Sequence, residues 1–189
     1  MTTSQRAIRR SGNLLRQIRP YLRVLPAARR NRLDLVRWLR RRPQILAGAA
    51  GYEMALLASA RVDPHLKQLA ELKAAVLVAC EFCLDIGSAL AAATGVSEAQ
   101  LRDLPNFRDS GAFNPGEKLV LELAEAMSRT PADVPDKLRD RLVERFSPAG
   151  LAELAATVAW ENNRGRLNVA LGVRPAGFSD GAVCAVAQR

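Results

Sequence analysis

The chain has 189 residues, 49% of them apolar and 5% aromatic, with three cysteines and a formal charge of +9. That length suffices for one domain with its own core plus an extension. No apolar run approaches the ~20 residues of a membrane span, and so few cysteines exclude a secreted disulfide framework.

The charge is unevenly placed. Residues 1–42 hold 13 arginines, no lysine and one acid, Asp34, whereas the remainder carries 15 basic and 18 acidic side chains. The basic character therefore belongs to an N-terminal extension, and the body is close to neutral. The start lacks the apolar h-region and small-residue cleavage site of a secretory signal, so the expected compartment is the cytoplasm.

Two short basic helices are expected before Pro43. In the first, Ile8, Leu15, Ile18, Leu22 and Leu25 recur at helical spacing, with Pro20 kinking it and Pro26 ending it. The second spans roughly Ala27–Arg42. From Gln44 to Ala60 the apolar residues become denser. Asp63-Pro64 then gives an N-cap acid with proline at the first helical position. Residues Leu66–Ala93 predict either one long helix or two helices meeting near Cys80 and Cys83, closed by Gly95.

Ser97-Glu98-Ala99-Gln100 is a capping box opening a short helix, and Arg102–Ala112 reads as loop. Asn114-Pro115-Gly116-Glu117 opens another helix to about Ser128. A further helix over Asp136–Phe146 precedes Ser147-Pro148, which opens a long final helix to about Leu171. No alternating run supports a sheet. The reading is an all-α body over 43–180, preceded by the 1–42 extension and followed by a 181–189 tail.

Cys80 and Cys83 carry the chemistry. Three residues apart on a helix, two thiols share one face and can cycle between dithiol and disulfide. A core seldom needs that spacing, because buried cysteine behaves as a small apolar residue. A zinc site needs four ligands, and beyond this pair only Cys184 and His65 are of the thiol or imidazole type. His65 reads as an exposed first-turn residue, Cys184 as a packed one, and Trp38 and Trp160 as packing anchors.

The run Gly51-Tyr52-Glu53-Met54-Ala55-Leu56-Leu57-Ala58-Ser59-Ala60-Arg61-Val62-Asp63, then Glu71-Leu72-Lys73, then Cys80-Glu81-Phe82-Cys83 resembles the carboxymuconolactone decarboxylase superfamily. The cysteine pair draws it toward the alkylhydroperoxidase D-like branch. The segment from Ala159 to Gly172, with Trp160-Glu161-Asn162-Asn163-Arg164-Gly165, is similar to that group's closing helix. The resemblance covers about residues 44–180. It implies an all-α fold assembling as homotrimers or hexamers, and hydroperoxide reduction with electrons from a lipoyl-bearing or other thiol reductant protein. No metal or organic cofactor is implied.

In that branch the motif is Glu-x11-Cys-x-x-Cys-x3-His, the Glu and His forming a proton relay. Here the cysteines match, but the Glu position falls on Gln68 and the His position on Gly87. The resemblance makes Cys83 the attacking thiol and Cys80 the resolving one. Without the relay, other groups must help the thiol ionise. Glu71, nine residues before Cys80, is one candidate. Glu81 and Asp85 share a face and, as anions, would oppose thiolate formation. The polar cluster Glu161, Asn162, Asn163 and Arg164 has two readings: it faces the cysteines and replaces the relay, or it is a solvated or subunit-contacting face. A helix starting at Cys80 would also help, and a continuous helix would remove that help.

Two rival readings stand beside this one. One is a decarboxylase-like enzyme acting on a small lactone or carboxylate, with the cysteines incidental. The other is a catalytically degenerate oligomer. For the arginine-rich extension, docking on the body is preferred over binding nucleic acid or an anionic membrane.

Overall fold

The computed structural model describes residues 17–31 and 33–179. Expectations for residues 1–16, Arg32, Cys184 and the 181–189 tail lie outside the described residues. Among these the architecture is all-α, as expected, with no strand.

Residues 17–24 form α1, which ends in a 3-10 turn at Leu25–Ala27 around Pro26. Then come α2 (Asp34–Leu39), α3 (Pro43–Ala58), α4 (Pro64–Leu77), α5 (Glu81–Thr94), α6 (Glu98–Asp103), α7 (Pro115–Ser128) and α8 (Asp136–Ala170). The last is broken at Ser147, whose φ of 67° reorients the chain before Pro148.

The caps follow from side-chain chemistry. Asp63 accepts from the His65 amide at the start of α4. Ser97 with Gln100, and Asn114 with Glu117, form reciprocal capping boxes. Gly95 closes α5 in the left-handed conformation at φ 84°, which glycine adopts without a Cβ penalty.

The second basic helix is shorter than expected. Instead of Ala27–Arg42, only Asp34–Leu39 is helical. The backbone N–H groups of Arg29 and Arg30 instead donate to the Ala176 carbonyl at 3.0 and 3.1 Å. Asn31, left-handed at φ 51°, donates its side-chain amide to the Pro175 carbonyl at 2.9 Å. Bonds to the far end of the chain thus replace the first helical turns. Around α2 the apolar side chains stay largely outside: Leu33, Val36 and Trp38 are exposed, and Trp38 carries the Arg41 guanidinium over its ring. Trp38 is therefore not the packing anchor expected.

Helix α4 is the centre of the body, packed by α5, α7 and α8. One apolar cluster joins Leu69 and Leu72 of α4 to Cys80, Cys83, Leu84, Leu104 and Phe107. A second joins Ala70 and Ala74 on another face of α4 to Val120, Leu142, Leu154 and Val158. The cysteines thus sit where α4 ends and α5 begins, inside the first cluster. Fully burying side chains of this size contributes roughly 1.5–3 kcal/mol each, so the site is held by a well-packed part of the core.

Candidate active site

Two helices, not one, meet at the cysteines. Helix α4 ends at Leu77, and Ala79 takes the left-handed conformation at φ 53°. The chain then restarts with Cys80 as the N-cap of α5, its sulfur accepting from the Cys83 amide at 3.2 Å. Ala79 makes the turn without a glycine. Cys83 lies in the first turn of a 14-residue helix, where unpaired amides and the helix dipole favour an anion.

Cys80 and Cys83 are joined as a disulfide, with Cα atoms 5.2 Å apart. Their surroundings differ. Cys80 is 1% exposed and packs below Gly165 of α8. A Cβ on that glycine would lie 2.6 Å from Val78 and 3.5 Å from Cys80. Cys83 lines a narrow cavity of about 30 Å³ with Tyr21, Gln68, Glu71, Leu72, Ile86, Gly87, Leu90, Glu161 and Arg164. Of the two sulfurs, Cys83 is the one a small substrate in this cavity would meet. A second cleft beside it shares Tyr21, Gln68 and Glu71.

The two expected relay positions face each other on the wall of that cavity. Gln68 donates its amide to the Gly87 carbonyl at 3.3 Å. Neither residue can carry a proton.

Proton-carrying groups enter instead from α4 and α8. Arg164 pairs with Glu53 at 3.1 Å, with Glu71 at 3.6 Å and with Glu161. One cation thus faces three carboxylates. Burial pushes the Glu161 carboxyl up to about 7, aided by the Glu71 charge and opposed by Arg164. Burial also raises Glu71, again against Arg164. The Glu161 Oε1 atom is buried and has no hydrogen-bond partner. Burial and the Glu71 charge likewise raise the Tyr21 phenol, so it stays neutral. Trp160, stacked on Tyr52 at 4.6 Å, donates to the outer carboxylate, Glu53, so it supports this cluster.

Three sequence candidates point elsewhere. Asp85 accepts the backbone amides of Ala176, Gly177 and Phe178 at 2.7 to 3.2 Å, and the amide and hydroxyl of Ser179 at 2.9 and 2.8 Å. Burial alone would raise this carboxyl, but those bonds outweigh it and hold it below the usual range. Its role is to clamp the segment after α8. Glu81 is exposed in the first turn of α5. Asn162 bonds to Ser128 and the Val158 carbonyl, between α7 and α8. Of the polar cluster on the final helix, Glu161 and Arg164 reach the cavity, and Asn163 is exposed. His65, expected to be exposed, is partly buried with Nε2 2.7 Å from Glu117.

Sequence reasoning passed over two residues. Asn168, 2% exposed, directs its Nδ2 at both sulfurs, 3.7 Å from Cys80 and 3.5 Å from Cys83. Its signal was present: Glu161, Arg164, Gly165 and Asn168 recur at three- and four-residue steps on one face of α8. Tyr21 had no such signal, because only tertiary docking brings α1 to the cavity.

Residues 43–126 match the carboxymuconolactone decarboxylase family. Over 117 residues the chain is 37% identical to the uncharacterized protein YnjA of Escherichia coli (strain K12), a match spanning 62% of this chain and 64% of YnjA. It is 27% identical over 116 residues to the uncharacterized protein YdfG of Bacillus subtilis (strain 168), spanning 61% of this chain and 79% of YdfG. Among solved structures, apo debrominase Bmp8 superposes with a TM-score of 0.71 at 20% identity, over 94% of this chain and 91% of that one. ATU0492 from Agrobacterium tumefaciens, a protein of unknown function bearing the AhpD antioxidant-defence name, gives 0.69 at 19% identity, over 73% and 94%. At such identities these two establish a shared fold.

Proposed function

We propose that this chain, whose residues 43–126 match the carboxymuconolactone decarboxylase family, is a thiol-dependent oxidoreductase that reduces hydroperoxides or disulfides with Cys83 and Cys80. The observation that supports it most is the asymmetry of the pair. Cys83 opens onto a cavity holding two carboxyls of raised affinity for protons, while Cys80 lies within bonding distance behind it.

The Cys83 thiol gives its proton to the Glu71–Glu161 pair, and the thiolate attacks the terminal peroxide oxygen. The O–O bond breaks, the departing alkoxide takes a proton from the same pair and leaves as an alcohol, and Cys83 becomes a sulfenic acid. The Cys80 thiol then attacks the Cys83 sulfur, expelling water and forming the disulfide. A dithiol reductant restores both thiols as it closes to its own disulfide. A carboxyl titrating near 7 suits this work, being partly in each form at neutral pH. Arg164 keeps part of the charge in place and orients both carboxylates.

Differential alkylation with peptide mapping tests the reading. After peroxide treatment, Cys80 and Cys83 are expected to resist alkylation and to appear as one linked peptide that dithiothreitol releases. Free thiols at both positions after oxidation would overturn it.

A further inference from the structure

The oxidised site leaves one buried polar atom unanswered. Asn168 directs its Nδ2 at both sulfurs, while its Oδ1 is buried and has no partner. A buried acceptor left unsatisfied is destabilising, because it has lost its water and gained nothing in return. Disulfide sulfurs cannot relieve it, because they carry no hydrogen. A thiol can, through its S–H, and a thiolate is a far better acceptor for the amide than a disulfide sulfur. Asn168 therefore has more to bond with after reduction than before.

We propose that Asn168 is a positioning residue for the reduced pair, its Nδ2 donating to the Cys83 thiolate and its Oδ1 accepting from the Cys80 thiol. It acts through the cysteines and biases the couple toward the dithiol, so that the disulfide is more readily reduced. The inference rests on the redox reading of the pair. In the step concerned, a dithiol reductant gives up two electrons and two protons and closes to its own disulfide. The Cys80–Cys83 bond breaks, one proton goes to the Cys80 sulfur, and the other leaves by the Glu71–Glu161 pair.

The charged and titratable groups around Cys83 do not duplicate this role. Tyr21 of α1 stays neutral, and Glu71 of α4 and Glu161 of α8 are committed to Arg164. On α5 itself, Glu81 is exposed and Asp85 is turned to residues 176–179. Among these groups, Asn168 is the one whose donor reaches both sulfurs.

The test compares the full chain with Asn168→Ala and Asn168→Leu, the second keeping most of the volume should the first fail to fold. Each is equilibrated in graded ratios of reduced to oxidised dithiothreitol, and the Cys80–Cys83 disulfide is counted by mass. The pH dependence of Cys83 alkylation is measured in parallel. The variants are expected to shift the equilibrium toward disulfide by about tenfold, about 30 mV for this two-electron couple. The midpoint of alkylation should move to higher pH. A merely structural role would move neither readout in a folded variant. Unchanged equilibrium and midpoint in a folded variant, with the wild-type disulfide forming normally, would overturn this inference alone. Failure of the wild type to form the disulfide would overturn the redox reading and this inference with it.

Discussion

Gln68 and Gly87 are hydrogen-bonded to each other, side-chain amide to backbone carbonyl at 3.3 Å, on the wall of the cavity that Cys83 lines. The two positions where a Glu–His relay is expected therefore meet in space, occupied by residues that cannot pass a proton. In the proposed reaction Glu71 and Glu161, which line the same cavity, supply the acid–base groups instead.

This predicts that a relay can be rebuilt. Gln68→Glu with Gly87→His should raise hydroperoxide turnover by at least about tenfold, since a positioned general base contributes ~10²–10⁴. A Cβ at position 87 would come within 2.9 Å of the Leu72 Cδ2 atom, so Leu72→Val should accompany the pair. Steady-state rates of the triple variant against Leu72→Val alone provide the check.

Glu161 sets a pH limb. Its carboxyl is pushed up to about 7, and only the ionised form accepts the thiol proton, so kcat/KM for peroxide should climb as pH rises through about 7. Glu161→Gln should flatten that limb and lower the rate on its alkaline side. Stability runs the other way. A carboxyl raised from an ordinary value of ~4.3 favours the folded state below that value, and the advantage fades as pH rises through 7. Denaturant midpoints at pH 5 and 8 read this sign.

Ala79 pays for its left-handed turn. With φ at 53° and an exposed side chain, Ala79→Gly should remove local strain and stabilise the fold by up to about 1 kcal/mol. Chemical denaturation measures it, and Cys80 should remain the N-cap of α5.

Gly165 is the close-approach position of α8. A Cβ there would sit 2.6 Å from the Cγ2 atom of Val78, so Gly165→Ala must push apart α8 and the α4–α5 break. A loss of about 1–3 kcal/mol is expected, with slower disulfide formation because Cys80 moves. Thermal unfolding and peroxide-driven oxidation rates report the two effects.

Much of this frame was legible in local chemistry. Asp63, Ser97 with Gln100, and Asn114 with Glu117 act through neighbours three residues away or fewer, so the caps announced the helices. The run Leu66–Ala93 left one helix or two open, because an alanine in the left-handed region, unlike a glycine, gives no compositional sign. Ala27–Arg42 misled for a related reason: helical spacing does not reveal that Arg29, Arg30 and Asn31 bond residues 175 and 176. At the site, Cys80, Cys83, Glu71 and Glu161 were readable as chemistry. Asp85 was misread because its partners lie more than 90 residues away.

Thiol turnover at Cys83 is the most direct test of the proposed reaction. Hydroperoxide consumption by the full chain is to be followed with dithiothreitol or dihydrolipoamide as reductant, beside Cys83→Ser. Sustained consumption that Cys83→Ser abolishes is the predicted result. Rates for the full chain no higher than those of Cys83→Ser with either reductant would contradict it.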